Sequence, residues 1–339
     1  MRLKIIIGTL VSFVFLYFTF RQVDFQEMMN AIKSANYLWL LPAFAAMLFS
    51  HWLRAVRWRY LLEPIKPIKI SPVFSALMIG YAANNVFPLR MGEFLRAFAI
   101  GKSQKISKSS AFATVFVERF ILDFVPLLLI LALTFSLFAS ILGDEIKFGG
   151  YLISVITCFV IALVMVLIKW TDATVEKLRQ ILPAKLFKYV EHFLPSFTKG
   201  CMVFNKTEHF LAITILTFLV WGLYILSIYF SFFIFGFPEK YGLGISASLL
   251  VLVFASFGIM IPASPGYVGT FHYFCALSLN ALGAGIPDGE VKSFALVSHL
   301  MNILPISIIG LIYFWRENLH FSDVVAEKDL VEHPQQEED

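Results

Sequence analysis

Charge is scarce in this chain: of 339 residues, 15% are Asp, Glu, Lys or Arg, against roughly 25% in a soluble domain. Hydrophobic residues supply 59% and aromatic residues 16%, with 37 Phe. No soluble core hides that much apolar surface, which excludes an ordinary soluble enzyme. Cysteine is scarce too. Cys158, Cys201 and Cys275 lack metal-ligand spacing, so neither a disulfide framework nor a zinc or iron–sulfur site is supported. Enzyme signatures are missing: there is no His-Glu-x-x-His and no Gly-x-Ser-x-Gly. Gly101-Lys102-Ser103 imitates the end of a phosphate-binding loop, but Arg96 stands where its first glycine belongs. No cofactor is implied, and no ATP-driven step within the chain.

What is present is apolar sequence in long runs. Stretches near 3–20, 37–53, 110–142, 149–168, 210–237 and 293–315 each reach the length of about 20 residues that crosses a bilayer as a helix. With two interrupted regions described below, they predict an all-α polytopic membrane protein of about eight transmembrane helices. The N-terminus, Met1-Arg2-Leu3-Lys4 and then uncharged Ile5 to Phe20, resembles a signal peptide. Phe18-Thr19-Phe20-Arg21 offers no small-residue cleavage site, however, and reads as the end of an uncleaved first span.

Basic residues are retained on the cytoplasmic side of membranes. Arg54, Arg57, Arg59, Lys66 and Lys69 therefore mark one cytoplasmic loop, and Lys102, Lys105 and Lys108 a second. Too few residues separate these loops for two full crossings, yet the number of crossings must be even. A re-entrant hairpin near 71–100, turning at Pro88, resolves the conflict. A second hairpin is expected near 242–283, in the uncharged stretch between Lys240 and Asp288, where Pro262 to Gly269 breaks the apolar run. It should enter from the opposite face. Both turns contain Pro-x-x-x-Gly, Pro88 to Gly92 and Pro265 to Gly269, which suggests an inverted repeat with a midplane binding site.

Residues 1–315 thus form a single integral-membrane domain. The segment 169–209, seven bases against four acids with Leu186, Val190, Phe193 and Phe197 at helical spacing, is either an amphipathic helix on the cytoplasmic leaflet or a passive connector. Residues 316–339 form an acidic, flexible cytoplasmic tail. Both termini are expected in the cytoplasm, and the membrane is the plasma membrane of a bacterium, its inner membrane.

Six charges interrupt the apolar sequence: Arg90, Glu93, Arg96, Glu118, Arg119 and Asp123. A charge at membrane depth costs several kcal/mol unless it is paired or faces water, so each is a functional candidate. The guanidinium forks of Arg90 and Arg96 suit a phosphodiester. Glu93 and Glu118 can hold the arginines, meet a cationic head group or carry a proton. Asn84 and Asn85 can satisfy backbone groups at the turn or bind a head group. Gly92, Gly266 and Gly269 permit close approach or unusual dihedrals. A structural reading stands beside each role. Arg90, Glu93 and Arg96 can pair along one helical turn, Arg119 and Asp123 can form an i, i+4 staple, and His272 and His299 can be hydrogen-bonded core histidines rather than a proton relay.

The run Asn84 to Arg96, then Val117-Glu118-Arg119-Phe120-Ile121-Leu122-Asp123, then Pro265-Gly266-x-x-Gly269 resembles the flippase-like transmembrane domain family, the membrane region of bacterial lysylphosphatidylglycerol synthase. The resemblance covers nearly the whole chain. It implies a polytopic bundle with re-entrant helices that moves a phospholipid or polyprenyl-linked lipid between leaflets. The family carries Glu three residues after the last glycine of the third motif, where this chain has His272. The synthase has a soluble catalytic domain besides, whereas little follows Trp315 here, so lysyl transfer and other enzyme activity are not expected.

The expected partners are membrane lipids, an anionic phospholipid or a polyprenyl-phosphate lipid, together with a second copy of the chain or a separate enzyme. The net charge of +4 reflects basic loops rather than nucleic acid. The alternatives to a translocator are a scaffold for a separate lipid-modifying enzyme and a membrane-embedded transferase using a lipid-linked donor, for which Asp24 and Glu27 would be an acidic pair in the first outward loop. These readings separate experimentally. Asp24→Asn with Glu27→Gln abolishes group transfer from a lipid carrier under the transferase reading and leaves lipid exchange near the wild-type rate under the translocator reading.

Overall fold

The computed structural model describes residues 2–21, 23–87, 91–141, 209–261 and 265–317, with Leu319 and isolated positions between 143 and 187. Pro88 and Arg90 lie outside these residues, as do most of 149–168, the segment 169–209 and the acidic tail.

In chain order the helices are α1 (Arg2–Phe20), α2 (Phe25–Ser34), α3 (Leu40–Leu62), α4 (Ile70–Val86), α5 (Gly92–Gln104), α6 (Lys108–Val117), α7 (Phe124–Phe138), α8 (Phe210–Ile234), α9 (Phe237–Tyr241), α10 (Ile245–Met260), α11 (Thr270–Ala281) and α12 (Asp288–Arg316). No strand occurs among the described residues. Tyr37–Leu62, Phe210–Ile234 and Asp288–Arg316 are long and apolar enough to cross a membrane, and shorter apolar helices accompany them. Their outer faces are oily: Leu41, Phe49, Trp52, Leu129, Leu133, Phe218, Leu304 and Ile308 are all exposed. An exposed apolar surface of that extent fits lipid rather than water. The chain is an all-α polytopic membrane protein.

Helix ends follow local chemistry. Asp24 caps α2, its Oδ1 accepting the N–H groups of Gln26 at 2.8 Å and Glu27 at 3.1 Å. The Ser107 hydroxyl caps α6, and Lys105 ends α5 in a left-handed conformation at φ 53°. Between α6 and α7 the helix does not stop. Residues Glu118–Asp123 form a π-turn, so the helical path is continuous over 108–138.

One sequence expectation is corrected at α3. Arg54 and Arg57 do not belong to a loop; the helix continues to Leu62 and buries both, with 2% and 0% of their surface exposed. They share one face with Met47, Ser50, Trp58 and Leu61, all buried. Hydropathy ended the span early because it scores arginine as water-seeking whatever its partners.

Two helical hairpins fill the centre. α4 and α5, 17 and 13 residues long, pack against each other, as do α10 and α11, 16 and 12 residues long. At about 1.5 Å per residue these helices span roughly 18–26 Å, short of the bilayer's hydrocarbon thickness. The first hairpin is closed by Gly80, where an added Cβ would lie 2.8 Å from Gly92 O, and the second by Gly258, where it would lie 2.8 Å from Thr270 O. The members of each pair are twelve residues apart in sequence. The open ends of the hairpins face opposite ways. Lys66 Nζ donates to Gln104 O at 2.8 Å, tying the mouth of the first hairpin to the end of α3 beside Arg59, Lys69, Lys102 and Lys108. The second opens where Asn36 N donates to Ile234 O at 2.7 Å and Gly289 N to Glu27 Oε2 at 2.9 Å, among Asp24, Glu239, Asp288 and Glu290. The tips meet in the middle. A Cβ on Gly266 would lie 3.3 Å from Asn85 O, and α12 lines both hairpins, with Gly310 against Met78 and Ala82.

Close backbone contact at both hairpins predicts a specific glycine sensitivity. Gly80→Ala and Gly258→Ala each destabilise the protein by about 1–3 kcal/mol through overpacking. Gly222→Ala in α8, where an added Cβ meets nothing within 4 Å, leaves stability unchanged or slightly raised. Thermal unfolding of the detergent-solubilised variants checks the order.

Candidate functional site

The charged residues of α3, α5 and the π-turn converge on one buried cluster. Glu118, fully buried, receives Arg96 Nη2 at 2.6 Å and Arg57 Nη2 at 3.0 Å. Asp123 accepts from Arg54 through both oxygens, at 2.8 and 3.1 Å, and from Arg57 Nη2 at 2.8 Å. Arg57 also donates Nη1 to Thr217 Oγ1 of α8 at 3.0 Å. The Arg96 guanidinium lies over the Trp58 ring, its Cζ 3.6 Å from the ring centroid, and the indole N–H donates to Thr114 Oγ1 at 2.9 Å. Such paired, stacked arginines suit a dry site better than lysine would.

The cluster has an inner and an outer part. Side chains of Arg54, Arg57, Arg96 and Glu118 are 0–3% exposed, whereas Arg119, Glu93 and Asp123 are 23%, 15% and 12% exposed. On the outer edge Arg119 Nε lies 3.1 Å from Glu93 Oε1, but its N–H points off line, so this is an ion pair without a hydrogen bond. Arg119 Nη1 reaches Asp123 Oδ2 at 3.4 Å and its guanidinium faces the Tyr81 ring. Glu93 is held by Asn84, whose amide donates to Oε2 at 2.8 Å while its Oδ1 accepts the Gly92 N–H at 2.8 Å. Thus Asn84 closes the first turn of α5 and aims the carboxylate at once.

Donors outnumber acceptors. Among the described residues four guanidiniums face three carboxylates, leaving one positive charge in excess. Arg54 Nε, Arg57 Nε, and both Nε and Nη1 of Arg96 are buried without a hydrogen-bond partner. Buried donors left unpaired are costly, and a net charge more so. The arrangement therefore favours an anion at its accessible edge.

The remaining candidates lie elsewhere or outside the described residues. Glu93 and Arg96 do not pair with each other along one helical turn; among the described residues their ion-pair partners, Arg119 and Glu118, come from the π-turn. The Arg119–Asp123 staple forms, but Asp123 has closer contacts with Arg54 and Arg57. Asn85 sits at the tip contact, donating to Ser307 Oγ at 3.0 Å. At the second tip Pro265, Gly266 and Tyr267 make a 3-10 turn in which Gly266 has φ 68°, and Gly269 follows at φ 90°. His299 Nε2–H donates to Gly266 O at 2.7 Å, and His272 Nδ1 accepts the Gly269 N–H at 3.2 Å. The two rings meet edge to face at 4.4 Å, away from the arginines. No group of three or more metal-ligating side chains occurs among the described residues. Sequence reasoning missed Arg54, Arg57, Trp58, Tyr81, Thr114 and Thr217. For the arginines the one local signal was of burial, since they continue the α3 stripe through Met47 and Ser50, and it says nothing of their partners.

The sequence profile of the lysylphosphatidylglycerol synthase transmembrane region matches residues 5–310. The chain belongs to that family. It is 26% identical over 302 residues to a UPF0104 membrane protein of Methanothermobacter thermautotrophicus, covering 84% of this chain and 87% of the relative. It is 25% identical over 125 residues to the UPF0104 membrane protein MJ1595 of Methanocaldococcus jannaschii, 35% of this chain and 37% of that one. Over 119 residues it is 28% identical to glycosyltransferase AglD of Haloferax volcanii, 35% of this chain and 19% of the relative. No solved structure matches.

Burial ranks the charges by what their loss costs. Glu118→Gln leaves Arg57 and Arg96 without a full counter-charge in a dry site and destabilises the protein by about 3–5 kcal/mol. Arg119→Gln, at the partly exposed edge, costs about 1 kcal/mol or less. Thermal unfolding and the yield of folded protein from membranes check the ranking.

Proposed function

We propose that the protein is a lipid translocator of the plasma membrane, moving a phospholipid or polyprenyl-linked lipid between leaflets. The carrying observation is the surplus of buried guanidinium beside a partly exposed edge, at the level where two oppositely opening hairpins meet. Hairpins broken at their tips and entering from opposite faces are the architecture in which transporters hold a substrate near the midplane. The basic end, with Arg59, Lys66, Lys69, Lys102 and Lys108, faces the cytoplasm in this reading. Family membership supports the lipid character of the cargo. No enzymatic step is needed for it.

A transferase reading draws on the groove of about 490 Å³ lined by Asp24, Gln26, Glu27, Asn30, Ala31, Ser34 and Glu290 at the other end, and on the similarity to glycosyltransferase AglD. Both acids already have structural work there. Asp24 caps α2, and Glu27 accepts the Gly289 N–H that joins α2 to α12. The translocator is therefore the better-supported reading.

The test is leaflet exchange of labelled phospholipids in liposomes holding the purified protein, with Arg90→Ala and Glu93→Gln at matched insertion. Wild type accelerates exchange, Arg90→Ala slows it by about tenfold or more, the effect of losing one charge-assisted contact, and Glu93→Gln changes which head groups exchange fastest. Wild-type exchange equal to that of empty liposomes, across several lipids and under a proton gradient, overturns the proposal.

A further inference from the structure

We infer that the outer edge of the cluster is a binding site for one phosphodiester head group, with Arg119 as its ligand and Glu93 as the residue that sets the charge it accepts. The inference rests on the translocator reading for the lipid character of the ligand.

Arg119 is the replaceable member of the cluster. Arg54, Arg57 and Arg96 each donate to a carboxylate at 2.6–3.1 Å and are 3% exposed or less. Arg119 holds Glu93 off line and Asp123 at 3.4 Å, with 23% of its side chain exposed. Its withdrawal leaves neither carboxylate without a hydrogen bond. Asp123 keeps Arg54 and Arg57, and Glu93 keeps the Asn84 amide at 2.8 Å. A guanidinium whose partners are satisfied without it can turn to a phosphodiester, which accepts two parallel N–H bonds from such a fork. Tyr81 supplies the aromatic face behind it.

The charge count makes the site selective. Four guanidiniums against three carboxylates leave one positive charge among the described residues, matched by the single negative charge of a phosphodiester. A head group with a second anionic oxygen, as in a phosphomonoester, would meet the Glu93 carboxylate, Arg119's nearest charged neighbour at 3.1 Å. An added ammonium would be tolerated at the same carboxylate. The site therefore takes phosphodiester lipids, anionic or zwitterionic, and disfavours phosphomonoesters. Glu93→Gln removes the repulsion.

The experiment is direct binding to the full chain in detergent, by native mass spectrometry, with short-chain phosphatidylglycerol, phosphatidylcholine, phosphatidic acid and inorganic phosphate, alongside exchange assays. Wild type should bind both phosphodiesters and prefer phosphatidylglycerol to phosphatidic acid; Arg119→Gln should weaken phosphatidylglycerol about tenfold. Glu93→Gln should reverse the preference toward phosphatidic acid, and being a ratio within one preparation this readout is insensitive to the fraction folded. Unchanged preference in Glu93→Gln, or unchanged affinity in Arg119→Gln, overturns the inference. Inorganic phosphate binding as tightly as the lipids overturns the lipid assignment. Selective binding with no lipid exchange sinks the translocator reading and leaves this site standing, whereas exchange without selective binding does the reverse.

Discussion

The Glu118 carboxylate is the point on which the centre of the molecule depends. It is fully buried and bonded to Arg57 from α3 and Arg96 from α5, so one side chain of the π-turn joins three segments far apart in sequence. A carboxylate taken out of water is tolerated only when its lone pairs are matched, and here two guanidiniums do that. The consequence is geometric as well as electrostatic. α5 belongs to the first hairpin, and the Arg96–Glu118 contact fixes where that hairpin stands against the long helices.

The π-turn explains how one helix supplies three members of the cluster. At about 100° per residue, Glu118, Arg119 and Asp123 would spread over about 140° of a regular helix. Closure from i to i+5 draws them into roughly 80°, one face toward α3 and α5. The extra residue of the bulge is thus what lets Arg119 stand at the edge while Glu118 and Asp123 point inward. Glycine makes the matching adjustment on the hairpin side. Gly80 lets Arg96 approach, its Cβ position lying 2.8 Å from the Arg96 Cβ.

Much of this was legible in the sequence, and the reason is chemical contrast. Glu93, Arg96, Glu118, Arg119 and Asp123 stand out because charge is rare in apolar helices, and the breaks near Pro88 and Pro262–Gly269 stand out because proline and glycine end helices. The other half of the cluster was hidden by the same rule. Arg54 and Arg57 follow an apolar run and precede Arg59, so they read as the start of a basic loop, while the acids that bury them lie in a different helix. No local pattern reports a partner of that kind. The π-turn was equally hidden, because nothing in Glu118 to Asp123 distinguishes i→i+5 from i→i+4 closure until Arg54 and Arg57 are placed opposite.

The two hairpins are alike in backbone and unlike in chemistry, and that difference bears on mechanism. Each is closed by a glycine against a backbone oxygen twelve residues on, each is shorter than a bilayer, and their tips meet at Asn85 and Gly266. Yet the first carries Glu93 and Arg96, while the second carries no Asp, Glu, Lys or Arg and holds its tip with the neutral contacts of His272 and His299. If cargo passes the tip contact, it leaves a charged half for an uncharged one. A head group bound at Arg119 would then be held on the basic side of the contact and released by it, since beyond Asn85 the described residues of the second hairpin offer hydrogen bonds but no charge to keep it. Direction in such a device is set by the lipid gradient or by an ion, since among the described residues of the two hairpins the charge lies on one side of the tip contact.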